Sequence, residues 1–231
     1  MKVKDRQNYK PGPKDECGSP PYAVTPLVKQ IESYRRLMGI SKKEFVIWEP
    51  ATGMGDIKHS GLVQGFTQLG YTVVGTPRYD FCSVTEDAVR AMIGFQGIKM
   101  IATNPPFSVK LKRCFVNKCE QIFGTFSIPY ALLMNTTSLT EKINGQTMIG
   151  CSLHIPLGRI CYSMPNQGWG TEEKPTKATF STNWFVKGLV ENRSIFYDTF
   201  DVSNHFDALR RFNEMSARIR EANGNKKKSG L

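Results

Sequence analysis

At 231 residues, 40% apolar and 22% charged, the chain has the size and composition to bury one substantial core, and no apolar run reaches the roughly 20 residues of a membrane-spanning helix. Its six cysteines (Cys17, Cys82, Cys114, Cys119, Cys151 and Cys161) lack any Cys-x-x-Cys spacing, and His59, His154 and His205 are scattered among them, so neither a zinc site nor a disulfide framework is expected. The net charge of +11 calls for a partner or an explanation: a basic surface is the electrostatic footprint of nucleic-acid binding, and solubilising ends are the alternative.

Much of that charge lies near the ends. Residues 1–18 read as a loose basic arm: Lys2, Lys4, Arg6, Lys10 and Lys14 surround Pro11-Gly12-Pro13. No signal-like apolar core opens the chain, and a cytoplasmic location is expected. Thr25 as cap and Pro26 in the first turn open a helix carrying Leu27, Val28, Ile31, Tyr34 and Leu37 at helical spacing, ending near Gly39. Phe45 to Glu49 is a short apolar strand that ends in an acid. It runs into Pro50-Ala51-Thr52-Gly53-Met54-Gly55-Asp56, where glycines let the backbone approach a ligand closely. A helix with Leu62, Val63, Phe66 and Leu69 follows, and then a second strand, Tyr71 to Gly75. Neither the dinucleotide fingerprint nor a P-loop is present.

After a turn containing Asp80-Phe81, residues 85–94 read as a short helix, and Ile98 to Ala102 as a buried strand. Thr103-Asn104-Pro105-Pro106-Phe107-Ser108 then stops that strand abruptly. Two prolines can neither continue a ladder nor sit in a helix interior, and they hold the preceding residues extended. Asn104 offers an accepting oxygen and a donating nitrogen, Pro105 a carbonyl, and Phe107 a flat face, a set suited to a planar group bearing an amino nitrogen. Residues 108–123 form a helix with Val109, Leu111, Phe115, Val116 and Ile122 on its apolar face and its lysines outward. Lys110, Lys112 and Arg113 there line an approach for phosphates. Residues 126–134 read as the next buried strand, and periodicity is weak from Asn135 to Pro156. Residues 158–163 and 178–186 then read as two strands joined by a loop containing Gly168-Trp169-Gly170. Trp169 is either a base-stacking wedge or an anchored loop tip. A helix over 203–222 and a basic tail, 223–231, close the chain, so residues 19–222 are read as a single domain.

Three of these stretches resemble motifs of one family, the class I amino-methyltransferases that use S-adenosylmethionine (SAM). Asn104-Pro105-Pro106-Phe107 resembles their Asn/Asp-Pro-Pro-Tyr/Phe motif, which the DNA adenine-N6 methylases carry. Glu49-Pro-Ala-Thr-Gly53-Met-Gly55 resembles their Glu/Asp-x-x-x-Gly-x-Gly cofactor motif, and Tyr22-x-x-Thr25-Pro26 resembles the segment that closes over the methionine part of SAM. Asp80-Phe81 resembles the element that meets the cofactor adenine, though Asp80 has ribose binding and simple turn capping as alternatives. Thr76-Pro77-Arg78 departs from the pattern, standing where the family has a ribose-binding acid. The two late strands are similar to the closing antiparallel pair of phage-type adenine methylases.

The resemblance spans roughly residues 20–187 and implies an α/β fold of the Rossmann-like class I methyltransferase type. Such a fold has a mostly parallel sheet, an antiparallel closing hairpin and helices on both faces. It implies methyl transfer from SAM to the exocyclic amino group of adenine in DNA, without a metal, through Asn104, Pro105, Pro106 and Phe107. Cofactor contacts would come from Tyr22, Thr25, Pro26, Glu49, Pro50, Gly53, Gly55, Asp80, Phe81 and Asn104. If the chain is virus-encoded, the host cytoplasm is its expected location. RNA adenine, a protein glutamine amide, and a non-catalytic nucleic-acid-binding subunit of the same fold are the alternatives.

Overall fold

Strands buried on both faces need near-continuous apolar runs, and four such runs form the central part of the sheet in the computed structural model. The structure describes residues 17–52, 57–76, 81–139, 150–163, 181–189 and 194–228. In chain order the strands are β1 (Val46–Glu49), β2 (Thr72–Gly75), β3 (Ile98–Thr103), β4 (Tyr130–Asn135), β5 (Ser152–Leu157), β6 (Thr182–Lys187) and β7 (Ile195–Asp201). They make one seven-stranded sheet ordered β2-β1-β3-β4-β6-β5-β7. The first four are parallel, β6 runs antiparallel to both β4 and β5, and β7 is parallel to β5. The chain is therefore an α/β protein with a mostly parallel sheet.

Helices cover both faces. On one, α1 (Thr25–Leu37), α2 (Gly61–Gln68) and α5 (His205–Lys228) pack on Ile47, Met100, Ala102, Leu133 and Trp184. On the other, α3 (Glu86–Gln96) and α4 (Val109–Phe126) pack on Trp48, Ile101, Leu132 and Phe185. Local sequence fixes several ends: the Thr85 hydroxyl accepts from the Ala88 amide to start α3, and Gly97, at φ +69°, stops it. No helix among the described residues is long and apolar enough to cross a membrane.

Several expectations need correction. Residues 158–163 are not a strand; β5 lies just before them and takes the antiparallel place beside β6. It escapes a search for apolar alternation because its polarity is inverted: Ser152 and His154 face inward, while Leu153 and Ile155 are half-exposed and Leu157 is exposed. The edge strand β7 is a further element, and its alternating exposed and half-buried residues carry no long apolar run. On α4 the buried stripe is Lys112, Phe115, Val116, Cys119 and Ile122, and Val109 is 53% exposed. The helix is thus turned from the expected orientation, and Lys112 does not face solvent. Thr25 lies inside α1 rather than capping it, after a 3-10 turn over Pro21–Val24. Helix α5 continues to Lys228, past the point where a tail was expected. Cys82 and Cys114 form a disulfide joining the turn after β2 to α4. Spacing in sequence could not announce it, because the pair is set by the packing of Phe81 on Phe115 beside it.

The segment 17–26 is stitched to the rest of the molecule at many points. The Trp184 indole donates to the Ala23 carbonyl at 2.7 Å, His154 Nδ1 lies 3.1 Å from the Pro26 carbonyl oxygen, and Thr25 donates to Asp198 at 2.7 Å. Its start lies directly on α2, whose two glycines four residues apart present a bare face. A β-carbon would come within 1.8 Å of the Ser19 carbonyl oxygen at Gly61, and 2.2 Å of the Pro21 carbonyl oxygen at Gly65. Alanine at either position gains about 1 kcal/mol of helix propensity, yet displacing backbone costs about 1–3 kcal/mol. Gly61→Ala and Gly65→Ala are therefore expected to lower the unfolding free energy by up to about 2 kcal/mol in urea titrations, whereas alanine scanned at exposed Gly94 on α3 is expected to stabilise.

Candidate active site at the carboxyl ends of β1 and β3

In the sheet, β1 has β2 on one side and β3 on the other, so the chain leaves the carboxyl ends of β1 and β3 in opposite directions. Open α/β sheets bind ligands in the crevice formed by such a divergence. Glu49 ends β1 and Thr103 ends β3, and the two meet: the Thr103 hydroxyl donates to Glu49 Oε1 at 2.6 Å, and the Ala51 amide donates to the same oxygen at 2.8 Å. Glu49 is only 1% exposed, and no lysine or arginine among the described residues pairs with it. Burial pushes its carboxyl up to about 8, with the two hydrogen bonds pulling the other way. Gly75, beside Glu49 in the β1–β2 pair, keeps this corner tight. A β-carbon there would press to 2.8 Å on the side chains of both Thr52 and Ile57, which flank the glycine loop.

One residue beyond Thr103, Asn104 has its amide nitrogen 3.0 Å from Ser19 Oγ and 3.5 Å from the Cys17 carbonyl oxygen. Its oxygen Oδ1 is buried and has no hydrogen-bond partner among the described residues. Pro105 is buried, and Phe107, half-buried, meets the Tyr162 ring edge-on at 6.0 Å and 88°. The Tyr162 hydroxyl donates to Thr182 Oγ1 at 2.9 Å, anchoring that ring on β6. A chain of contacts thus links the acid after β1, the Asn-Pro-Pro-Phe corner and the segment preceding α1.

That segment arrives differently from expectation. Tyr22 is fully buried with its hydroxyl 2.9 Å from His205 Nδ1, the Thr25 hydroxyl is bound to Asp198, and Pro26 lies against His154. The polar atoms of all three are engaged by β5, β7 and α5, so they anchor the segment, and Ser19 and Cys17 are the residues that reach Asn104. Ser19 had no periodic or motif signal. The signal that was available is the Gly61/Gly65 pair, since two glycines on one face of an apolar helix mark a close backbone approach.

Other expected site residues separate from this cluster. Phe81 is in the core on the α3/α4 face, edge-on to Trp48 at 5.2 Å. The Thr76 hydroxyl accepts from the Trp48 indole at 3.2 Å. Lys110 is exposed and Arg113 half-buried, but Lys112 is 4% exposed because it lies on the inward stripe of α4. Pro50 is buried behind Glu49, whereas Gly53, Gly55, Asp80 and Trp169 lie outside the described residues. Compared with known proteins, the chain matches no family model, no curated protein and no solved structure.

The environment of Glu49 has a measurable consequence. Between its ordinary value of 4.5 and about 8, the folded state holds a proton that the unfolded state has released. The stabilisation from the neutral buried carboxyl is thus complete below about pH 4.5 and is lost as pH rises toward 8, at about 1.4 kcal/mol per pH unit. Glu49→Gln keeps the shape without the titration. Over that range the stability of the wild type should fall relative to the variant in denaturant titrations, and parallel pH profiles would show that Glu49 ionises freely in the fold.

Proposed function

We propose that the chain is a class I, Rossmann-like methyltransferase that moves the methyl group of SAM to the exocyclic amino group of adenine in DNA. The observation that carries this reading is the buried, unpartnered Asn104 oxygen, one residue from the Thr103–Glu49 hydrogen bond. A buried acceptor without a donor costs about 1–3 kcal/mol, and such an atom at a strand-end crevice suits a ligand N–H. The doubly covered, mostly parallel sheet with its antiparallel strands beyond β4 is compatible with the fold.

The residues present fit the cofactor at one point: Glu49 is a buried acid with no cation paired to it among the described residues, and the ammonium group of the methionine part of SAM would favour its ionised, accepting form. Bound SAM supplies an electrophilic methyl. The exocyclic nitrogen of adenine is a weak nucleophile because its lone pair is delocalised into the ring. Donating one N–H to Asn104 Oδ1 and the other to the Pro105 carbonyl favours a tetrahedral nitrogen and returns the lone pair to it. The stiff Pro105-Pro106 corner holds both acceptors at fixed separation, so the contribution of the protein is positioning. In a duplex the base has to leave the stack, and Phe107 offers it a replacement face.

The net charge of +11 supports a polyanionic acceptor, although the helix after the motif exposes Lys110 and not Lys112. RNA adenine and a glutamine amide present the same N–H donors. A non-catalytic, nucleic-acid-binding relative is favoured by one observation, that Thr76 stands where the ribose-binding acid is expected and its hydroxyl already accepts from Trp48.

Transfer of labelled methyl from SAM is expected to DNA over RNA or protein when all three compete in one assay. Asn104→Ala should lower the rate by about 100-fold or more, and an unchanged rate would sink the mechanism. Calorimetry decides between enzyme and relic: heat of SAM binding is expected from the wild type, and retardation of DNA without it would favour the binding protein.

A further inference from the structure

A primary amide can sit in its socket either way round, and its orientation decides whether a ligand meets an acceptor or a donor. At Asn104 the neighbours settle it. Ser19 Oγ, at 3.0 Å, can both accept and donate, but the Cys17 carbonyl, at 3.5 Å, only accepts. Turning the amide over would set its oxygen against that carbonyl, two lone-pair-bearing atoms face to face. With the nitrogen toward Ser19 and Cys17, Oδ1 is the group left for a ligand.

The two neighbours are themselves held. Gly18 between them exchanges a pair of 2.9 Å backbone hydrogen bonds with Ser163, from each amide to the other carbonyl. Ser19 is buried at 7% exposure, its backbone lying on Gly61 of α2. The hydroxyl that meets Asn104 is therefore fixed by an antiparallel bridge on one side and a helix face on the other.

We propose that Ser19, with the Cys17 carbonyl, is a positioning residue that locks the Asn104 amide with its oxygen toward the substrate, so that the site selects a 6-amino purine over a 6-oxo purine. The inference rests on the methyltransferase reading for its substrate and on geometry alone for its lock. An amino group donates to Oδ1; an oxo group in the same place faces oxygen with oxygen and leaves both unpaired, which costs a built polar site far more than a lost contact. Ser19 acts only through Asn104.

Two measurements on the full chain test the two halves separately. In 15N-labelled protein, the Asn104 side-chain amide, identified by its disappearance in Asn104→Ala, should exchange its hydrogens with water at least about tenfold faster in Ser19→Ala than in wild type. Ser19→Thr should restore slow exchange. Unchanged exchange in Ser19→Ala overturns the lock; if that variant does not fold, Ser19→Cys, whose thiol accepts only weakly, is read in its place. The second measurement compares the affinity of a duplex carrying adenine at one position with that of a duplex carrying hypoxanthine there, which has no amino group to methylate and is read as an inhibitor of methyl transfer to the first. Wild type should bind the adenine duplex about 100-fold or more tightly than the hypoxanthine duplex. Ser19→Ala should lower kcat on adenine about tenfold and narrow that preference, with KM for SAM unchanged. A preference that survives while exchange accelerates overturns the selectivity. Absence of methyl transfer by the wild type overturns the methyltransferase reading, and the exchange result still decides the role of Ser19.

Discussion

An ionised carboxylate taken out of water without a cation is among the more costly things a fold can hold, and burial accordingly keeps Glu49 protonated up to about pH 8. Two donors to a single oxygen, from Thr103 and Ala51, are what make its position tolerable. Because Thr103 ends β3 and Glu49 ends β1, the hydrogen bond also fixes the relative height of the two central strand ends. It thereby sets where the next residue, Asn104, leaves the sheet. The backbone pairing of β1 and β3 sets their register, and this contact ties the two strand ends together beside Asn104, so a change at Thr103 is felt both in stability and at the site.

The second constraint comes from the other end of the chain. Residues 17–26 contribute no strand to the sheet, yet they touch α2, β5, β6, β7, α5 and the Asn-Pro-Pro-Phe corner. The anchoring groups and the site groups are separated along the segment: Tyr22, Thr25 and Pro26 bind the sheet edge and α5, while Cys17 and Ser19 bind Asn104. Rigidity in the first set places the second. The same logic accounts for the glycines of α2, which sacrifice helix propensity so that backbone lies on backbone.

How much of this was legible depended on whether a residue carried its own local signal. Glu49 and Asn104 did, because each follows an apolar run and precedes a turn that only glycine or proline chemistry explains, and both lie at the crevice. Tyr22, Thr25 and Pro26 matched a motif by spacing, but spacing does not say which way a side chain points, and theirs bind protein. Strand β5 was hidden by polarity: Ser152 and His154 Nδ1 find partners inside from residues far away in sequence, and these inward positions are polar while Leu153, Ile155 and Leu157 lie on the more exposed face. The Cys82–Cys114 bond and the inward Lys112 were equally beyond local reading, since each follows from how α4 is rotated against the turn after β2.

That rotation also bears on how a polyanion would be met. With Lys112 inward and Lys118 donating to the Val84 carbonyl and to Gln121, the start of α4 offers solvent only Lys110 and part of Arg113. Such a sparse edge cannot by itself hold a duplex, because phosphate binding accumulates from many weak, salt-screened contacts. The excess charge of the chain lies instead toward its two ends in sequence, while the polar atoms at the crevice are few and fixed. In the proposed reading, affinity and selectivity would fall to different stretches of the sequence. The basic ends can concentrate a polyanion without discriminating among its bases, and the Asn104 corner can discriminate an amino group without contributing much to affinity.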